Sequence, residues 1–341
     1  MMTFQKDFPL DRLTTFGCRS VAANYAEIRS TAELKEALAL AAEQGLRVHI
    51  LGGGANTIAR SRIEGVVLRI AIGGYALTAI NDDEALITAG AGEVFDEVIA
   101  RSIGGGYSGL ENLSAIPGTV GGAVVQNIGA YGVELAEHLV SVRIWDREQQ
   151  TERVLSLADC DFSYRHSVFK TPKASQWIIL SAVLRVRKTF TPVVGYKDVE
   201  HALGLHGLSI EDLTPVRMSS LIREIRARKL PDPAVTGNAG SFFTNPIVDK
   251  VVWRRVLVNH PSVVHYRLGG GRMKFAAASL IETAGLKGFR AEKVGVSANH
   301  ALILENLGGA SGEDVLEFAA MIQQKIEEKF GVRLVMEPVV L

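Results

Sequence analysis

GLENLSAIPGTVGGAVVQNIGAYG, from Gly109 to Gly132, has the pattern of neither an ordinary helix nor an ordinary strand. Its six glycines include Gly121-Gly122 soon after Pro117-Gly118, so the backbone can turn sharply and approach a partner where a Cβ would collide. Backbone amides left over by such turns cradle anions. Unlike a flexible linker, the stretch also carries Leu110, Leu113, Ile116, Val120, Val124, Val125, Ile128 and Tyr131, which call for burial. A glycine-rich loop held in a core is expected where a large ligand lies along main chain. A run of tight turns at a sheet edge is the alternative, and this stretch alone leaves both open.

Upstream, Asn24 to Ile28 reads as a strand, followed by Ser30-Thr31-Ala32-Glu33, a capping-box signature ahead of Leu34, Leu38 and Ala41 at helical spacing; Gly45 ends that helix. Val48-His49-Ile50-Leu51 then reads as a buried strand running into a second glycine cluster, Gly52-Gly53-Gly54-Ala55-Asn56-Thr57. This is not the G-x-G-x-x-G fingerprint of a Rossmann unit. Three glycines and an Asn after a hydrophobic strand suit close backbone approach to phosphate, with a hairpin-type turn as the alternative. Gly65 to about Arg187 reads mostly as strand, with one amphipathic helix near Val94 to Ser102 and a hairpin of Val140–Trp145 with Arg153–Leu157. Trp177 to Val186 is a further strand. Beyond a loop-like GYKD at Tyr196, Thr214-Pro215 starts a helix to Lys229 that stops before Pro231-Asp232-Pro233, and a domain boundary is expected there. A last helix opens at Ser311, buries Val315, Phe318, Ile322 and Ile326, and ends at Gly331 before an alternating strand, Val332 to Met336.

Composition narrows the function classes. A chain of 341 residues implies two or three domains, and 47% hydrophobic with 22% charged residues describes a globular protein with ample core. Lys plus Arg equals Asp plus Glu at 37 each, so no overall basic field gathers nucleic acid or an anionic membrane. Cys18 and Cys160 lack metal-ligand spacing, and no metal site is expected. No stretch reaches the roughly 18 apolar residues that span a bilayer, and MMTFQKDFPLDRL has no signal-peptide core, so a cytoplasmic location is expected.

Three polar stretches remain for chemistry. FSYRHSVFK sets Tyr164 and Arg165 among apolar residues, where an Arg could hold a carboxylate or phosphate in a bidentate pair, or simply form a surface ion pair. GNAGSFFTNP brackets Ser241 between Gly240 and two phenylalanines, without the G-x-S-x-G spacing of a hydrolase elbow. Glu337 stands in Val-Met-Glu-Pro-Val-Val-Leu, where burial would raise its pKa unless it is paired.

The combination of GGGAN, IPGTVGGAVVQNIGAYG, YRHSVFK, KLPDP, GNAGSFFTNP and terminal EP resembles the UDP-N-acetylenolpyruvoylglucosamine reductase family over essentially the whole chain. The resemblance implies an α+β architecture: an FAD-binding fold of the vanillyl-alcohol-oxidase type, made of two α+β subdomains, with a third α+β domain that binds a UDP-sugar. We expect these at residues 1–70, 71–213 and 214–331, with the terminal strand 332–341 returning toward the active site. GYKD around Tyr196 resembles the longer of the family's two classes, which closes a tyrosine loop on substrate. Two departures stand out: Ala55 where the family commonly has Ser, and an end four residues after Glu337, without the extension of some relatives.

By that resemblance, NADPH is the co-substrate that reduces a non-covalently bound FAD, which delivers hydride to C3 of the enolpyruvyl group of UDP-N-acetylenolpyruvoylglucosamine. Arg165 would hold the substrate carboxylate, Glu337 would donate a hydrogen bond to it, and Ser241 would protonate C2. Gly52, Gly53, Gly54, Ala55, Asn56, Thr57, Ile116, Pro117, Gly118, Gly121, Gly122 and Asn127 would surround the flavin. Tyr164, Tyr196, Lys229, Asn245 and Asn299 would line the substrate site. An oxidase or dehydrogenase on the same fold would share the glycine loops without requiring Ser241 and Glu337, and a nucleotide-sugar sensor would keep the pocket and lose the acid.

Overall fold

The computed structural model describes residues 2–341; Met1, the first residue of MMTFQKDFPLDRL, lies outside the described residues. By contact the chain forms two compact units, both discontinuous in sequence. The first takes the residues up to Lys6, Asn24–Gly53 and Gly65–Arg228; the second takes Asp7–Ala23, Gly54–Glu64 and Lys229–Leu341.

In the first unit, the C-terminal half of strand Val21–Ile28 pairs in parallel with Val66–Ile70, which pairs in parallel with Val48–Leu51. The crossover between the outer strands is helix α1, Thr31–Glu43. The Ser30 hydroxyl accepts from the Glu33 amide, Leu34, Ala37 and Ala41 form the buried face, and Gly45 at φ +64° lets the chain leave. A second, antiparallel sheet runs in the order Thr151–Ser156, Leu139–Asp146, Trp177–Arg187, Glu84–Gly90, Tyr75–Ala79, and helix α2, Phe95–Gly104, buries Phe95, Val98 and Ile99. One core cluster extends from Ala26 to Val186, so the two expected flavin subdomains share a single interior.

The Gly109–Gly132 stretch is not simply a series of turns, for it contains helix α3, Val120–Gln126, with Val120, Ala123 and Val124 buried. Glycine costs about 1 kcal/mol in a helix interior relative to Ala. Packing overrides that preference at Gly121, where a Cβ would stand 3.1 Å from the Ala91 Cβ. Left-handed residues bracket the helix: Ala115 (φ +59°) and Gly118 (φ +116°) before it, Asn127 (φ +42°) and Tyr131 (φ +47°) after it. GYKD is likewise not a loop throughout, because Tyr196 is the N-cap of helix α4, Lys197–His206. Helix α5, Pro215–Lys229, packs Met218, Leu221, Ile222 and Ile225 with Val199, Ala202, Leu203 and Tyr131. The boundary expected at 213/214 therefore falls inside the first unit, because α5 buries its apolar face against α4.

Asp146 shows how this unit fixes its hairpin. Its buried carboxylate accepts from the Glu148 and Gln149 amides (both 3.0 Å), from Arg153 Nη1 (2.9 Å) and from Trp177 Nε1 (3.0 Å). Burial by itself would push the carboxyl up, but these hydrogen bonds outweigh it and hold the pKa below the ordinary 3.8. A carboxylate depressed in the folded state stabilises above its unfolded pKa, and that contribution fades as pH falls below about 3.8 through the folded value. Asp146→Ala is expected to lose roughly 1–3 kcal/mol at neutral pH for the stranded donors, and the deficit relative to the unsubstituted protein should shrink in urea melts below pH 3.8.

The second unit is built on Phe16, Cys18 and Ile58 packed with Phe242, Phe243, Phe275, Val315, Phe318 and Ile322. That shared interior explains why two early segments join the C-terminal third. Its helices are α6, Lys250–Asn259, α7, Ala277–Thr283, and α8, Gly312–Phe330. A capping box of Ser311 with Asp314 opens α8, and Gly331 at φ +63° closes it. Val332 to Met336 is not a regular strand. Val332 and Leu334 are buried as the alternation implies, but Leu334 O is bound by the Gln323 side chain (2.8 Å) and only Met336 forms a bridge, to Phe243. The terminal strand is Val339–Val340, parallel to Thr57–Ile58.

Candidate active site

In the first unit the two glycine clusters meet. A Cβ on Gly53 would lie 2.9 Å from Gly118 Cα and 3.1 Å from the Thr119 amide nitrogen, and one on Gly52 would lie 3.1 Å from Thr119 Oγ1. Only glycine allows the two main chains to approach so closely. The Thr119 hydroxyl is buried and has no hydrogen-bond partner among the described residues, although it precedes a helix it could have capped. A buried hydroxyl left unsatisfied costs free energy that a ligand can return. Thr119 is a candidate site residue that the sequence reading does not single out, although it lies within IPGTVGG, between Pro-Gly and Val-Gly-Gly.

Some expected cofactor residues also hold the protein together. The Gly121 amide donates to Ala91 O (2.9 Å), so Gly121 secures close packing and offers no free donor. Asn127 is fully buried and its amide is committed: Nδ2 donates to Glu134 Oε2 (3.0 Å) and Ser163 O (3.1 Å), and Oδ1 accepts from the Ala136 amide (3.1 Å). Its side-chain amide thus supports the Tyr164-Arg165 turn. In that turn Ser163 and His166 exchange main-chain hydrogen bonds (3.1 and 2.9 Å), with Arg165 at φ +54°. The Arg165 guanidinium donates to Gly129 O and, at 3.4 Å, to Asn127 O, and it lies 5.2 Å from the Tyr164 ring centroid. Lys170 Nζ ties Arg165 O (3.1 Å) to Gln126 Oε1 (2.7 Å). Arg165 is thus held against QNIGA main chain by carbonyls, which orient its rigid fork. Tyr196 packs edge-to-face on Tyr131 at 5.4 Å.

In the second unit, segment 237–245 is bound along both sides. Phe242 donates to Leu302 O (2.8 Å), Glu337 donates to Phe242 O (2.9 Å), and Thr244 donates to Val335 O (3.0 Å). Ser241 bridges Ile303 and Phe243 bridges Met336, so Ser241 and Glu337 come onto adjacent backbones. Phe242 and Phe243 are buried while Ser241 is exposed and Glu337 half-buried. The two phenylalanines are the anchor that holds the serine at the surface of its unit. Asn56 Nδ2 donates to Glu337 O (3.2 Å) and Val339 donates to Asn56 O (2.9 Å), so the end of the Gly52–Thr57 cluster also holds the Glu337 segment. Gly54 must be glycine, since a Cβ there would lie 1.9 Å from Leu13 O. Asn245 Oδ1 accepts from the Ala277 amide at the start of α7 (2.9 Å), and the exposed Asn299 lies in the turn that leads to Ile303. Lys229 is the last residue of α5. Cys18 and Cys160 are both free and buried, with thiols pushed up to about 12 and about 11 chiefly by desolvation, so neither supplies a thiolate.

The two abutting glycine loops and the unsatisfied Thr119 hydroxyl fit a dinucleotide laid along main chain. The fold and this cradle define an FAD-binding protein, and a family model for an FAD-binding domain matches residues 22–154. The C-terminal domain model of UDP-N-acetylenolpyruvoylglucosamine reductase matches residues 232–341. The chain is 41% identical over 337 residues to the UDP-N-acetylenolpyruvoylglucosamine reductase of Azoarcus sp. (strain BH72), covering 98% of this chain and 96% of the relative. It is 42% identical over 337 residues to the enzyme of that name from Pseudomonas aeruginosa, covering 99% and 98%. The chain belongs to the UDP-N-acetylenolpyruvoylglucosamine reductase family. The crystal structure of the enzyme of that name from Thermus caldophilus shares the fold, with a TM-score of 0.69 over 100% of this chain and 99% of that one, at 24% identity.

Proposed function

We infer that the chain is an FAD-dependent oxidoreductase, a UDP-N-acetylmuramate dehydrogenase, that reduces the enolpyruvyl group of UDP-N-acetylenolpyruvoylglucosamine with NADPH in peptidoglycan precursor synthesis. The observation that carries this reading is full-length similarity, 98% of this chain at 41% identity, to reductases of that name, joined to a glycine cradle that fits flavin. FAD, which the Gly52–Thr57 and Ile116–Gly122 loops would hold, would supply the hydride chemistry that links NADPH to the vinyl carbon, C3. The chain's own residues manage the charge that results. Arg165, already aimed by the Asn127 and Gly129 carbonyls, binds the substrate carboxylate and stabilises the enolate that grows beside it. Glu337, in its protonated form, donates to the same carboxylate. Ser241 Oγ gives its proton to C2 and is reprotonated from water. Lys229, Tyr196 and Asn245 hold the diphosphate and sugar, with Tyr164 and Asn299 at the margin. GYKD around Tyr196 supports assignment to the longer class, in which a tyrosine closes on substrate. Both substrates are multiply charged nucleotides that do not cross a bilayer unaided, so we place the reaction in the cytoplasm. No described helix is long and apolar enough to cross a membrane.

One spectrum series tests the reading. The purified protein should be yellow, release all its flavin on acid precipitation, bleach with NADPH in the absence of air, and recover its colour on addition of UDP-N-acetylenolpyruvoylglucosamine. A colourless protein that takes up no FAD overturns it. Recovery with oxygen alone at an equal rate favours an oxidase of the same fold, and bleaching without substrate-driven recovery favours a sensor.

A further inference from the structure

Ala115 directly precedes Ile116-Pro117-Gly118, and it is a non-glycine residue at φ +59°. Side chains from two helices hold its two peptide groups. The Ala115 amide donates to Asp96 Oδ1 (2.7 Å) from α2, and the Ala115 carbonyl accepts from Arg226 Nε (3.2 Å) of α5. Asp96 is in turn gripped by α5, for Arg223 Nη1 donates to Oδ2 and Nη2 to Oδ1, both at 2.7 Å. The buried Ser114 and Ser219 hydroxyls add a third tie between the same loop and the same helix, at 2.8 Å. Two parallel N–H···O bonds between a guanidinium and a carboxylate fix direction as well as distance.

Immediately beyond Ala115 the chain enters the cradle, where Gly118 abuts Gly53. Beyond Arg223, α5 runs on to Lys229, six residues later and therefore about 9 Å along the same rigid helix. We propose that Asp96 and Arg223 are positioning residues that join the Ala115–Gly118 flavin loop to helix α5, so that occupancy of the nucleotide-sugar site and retention of FAD reinforce one another through that helix. The proposal rests on the reductase reading, because it takes Lys229 as a ligand of the UDP-sugar. At Ala115 the left-handed turn is held by side chains and follows the helices that carry them, while beyond it the Phe95 amide donates to Gly118 O (3.1 Å) and Val94 bridges Thr119, so a shift of Ala115 and of Asp96 on α2 is passed to Gly118. A ligand that fixes the end of α5 thereby fixes the loop, and the influence is reciprocal.

The test is FAD release from diluted holoenzyme, read as recovery of free-flavin fluorescence, with and without saturating UDP-N-acetylmuramate, which occupies the site without turnover. In the unsubstituted protein the product is expected to slow release on the order of tenfold, within the usual range of coupling between sites. Arg223→Ala should release FAD faster on its own and respond to the product by less than about twofold. Arg223→Lys, which keeps one of the two bonds to Asp96, should respond at an intermediate level, and Asp96→Asn should resemble it. Melting of each holoenzyme in excess FAD separates general loosening from coupling. A variant that melts lower but keeps the full product effect overturns the proposal, as does an absent product effect in the unsubstituted protein. A protein that binds no FAD at all overturns the reductase reading instead.

Discussion

Ser241→Ala is expected to fold, bind FAD and be bleached by NADPH at close to the unsubstituted rate, yet to be reoxidised by UDP-N-acetylenolpyruvoylglucosamine ~10²–10⁴-fold more slowly, the usual contribution of a positioned general acid. The split reflects the order of events, since the C2 proton is needed only after hydride has left the flavin. The fold should survive because Ser241 is exposed while the neighbouring Phe242 and Phe243 anchor the segment, and its bridge to Ile303 uses main chain only. Ser241→Cys keeps a proton donor of different acidity in nearly the same place and should recover part of the loss. Stopped-flow mixing first with NADPH and then with substrate gives both rates. Normal reoxidation by Ser241→Ala would move the proton donor to Glu337 or to bound water.

Gly53→Val should bind FAD more weakly than the unsubstituted chain. Its Cβ would stand 2.9 Å from Gly118 Cα and 3.1 Å from the Thr119 nitrogen, both backbone atoms that cannot step aside as a side-chain tip can. Opening the two loops by that amount costs about 1–3 kcal/mol by analogy with overpacked cores, which weakens FAD binding by roughly 5- to 150-fold if the strain falls on the cradle. Thr119→Val makes the complementary test, since it keeps the shape and removes only the buried hydroxyl that lacks a protein partner. Flavin titration of the two apoproteins should place Gly53→Val as much the weaker binder, with Thr119→Val between it and the unsubstituted chain. Equal affinities in all three would show that the flavin lies elsewhere.

Much of the fold is legible in the sequence because local signals and burial agree. Ser30 and Ser311 cap the helices they precede, Gly45 and Gly331 take the left-handed turn that ends them, and the hairpin of Leu139–Asp146 with Thr151–Ser156 obeys its alternation. Legibility fails where tertiary contact outweighs local preference. Two consecutive glycines discourage a helix, yet α3 forms because Gly121 has to pass Ala91 closely. Val332 to Met336 alternates as a strand should, but its alternate residues are buried without a continuous ladder. The internal partners of the Asn127 amide, Glu134, Ser163 and Ala136, cannot be seen in one dimension.

The sequence by itself determined the chemistry available. The glycine clusters at 52–54 and 118–122, the arginine at 165, the serine at 241 and the glutamate at 337 stand in motifs whose combination already carried the family. Tertiary structure alone decided which of these residues share a frame. Segments Asp7–Ala23 and Gly54–Glu64 join the C-terminal third because Phe16, Cys18 and Ile58 find their core there, and Ser241 comes beside Glu337 because main-chain bonds link residues 242 and 337. The Asp96–Arg223 clamp spans 127 positions of sequence, and no periodicity or spacing reports an ion pair between residues so far apart. Local pattern fixes elements within a few residues, whereas the pairing of distant side chains is set only when burial brings their helices together.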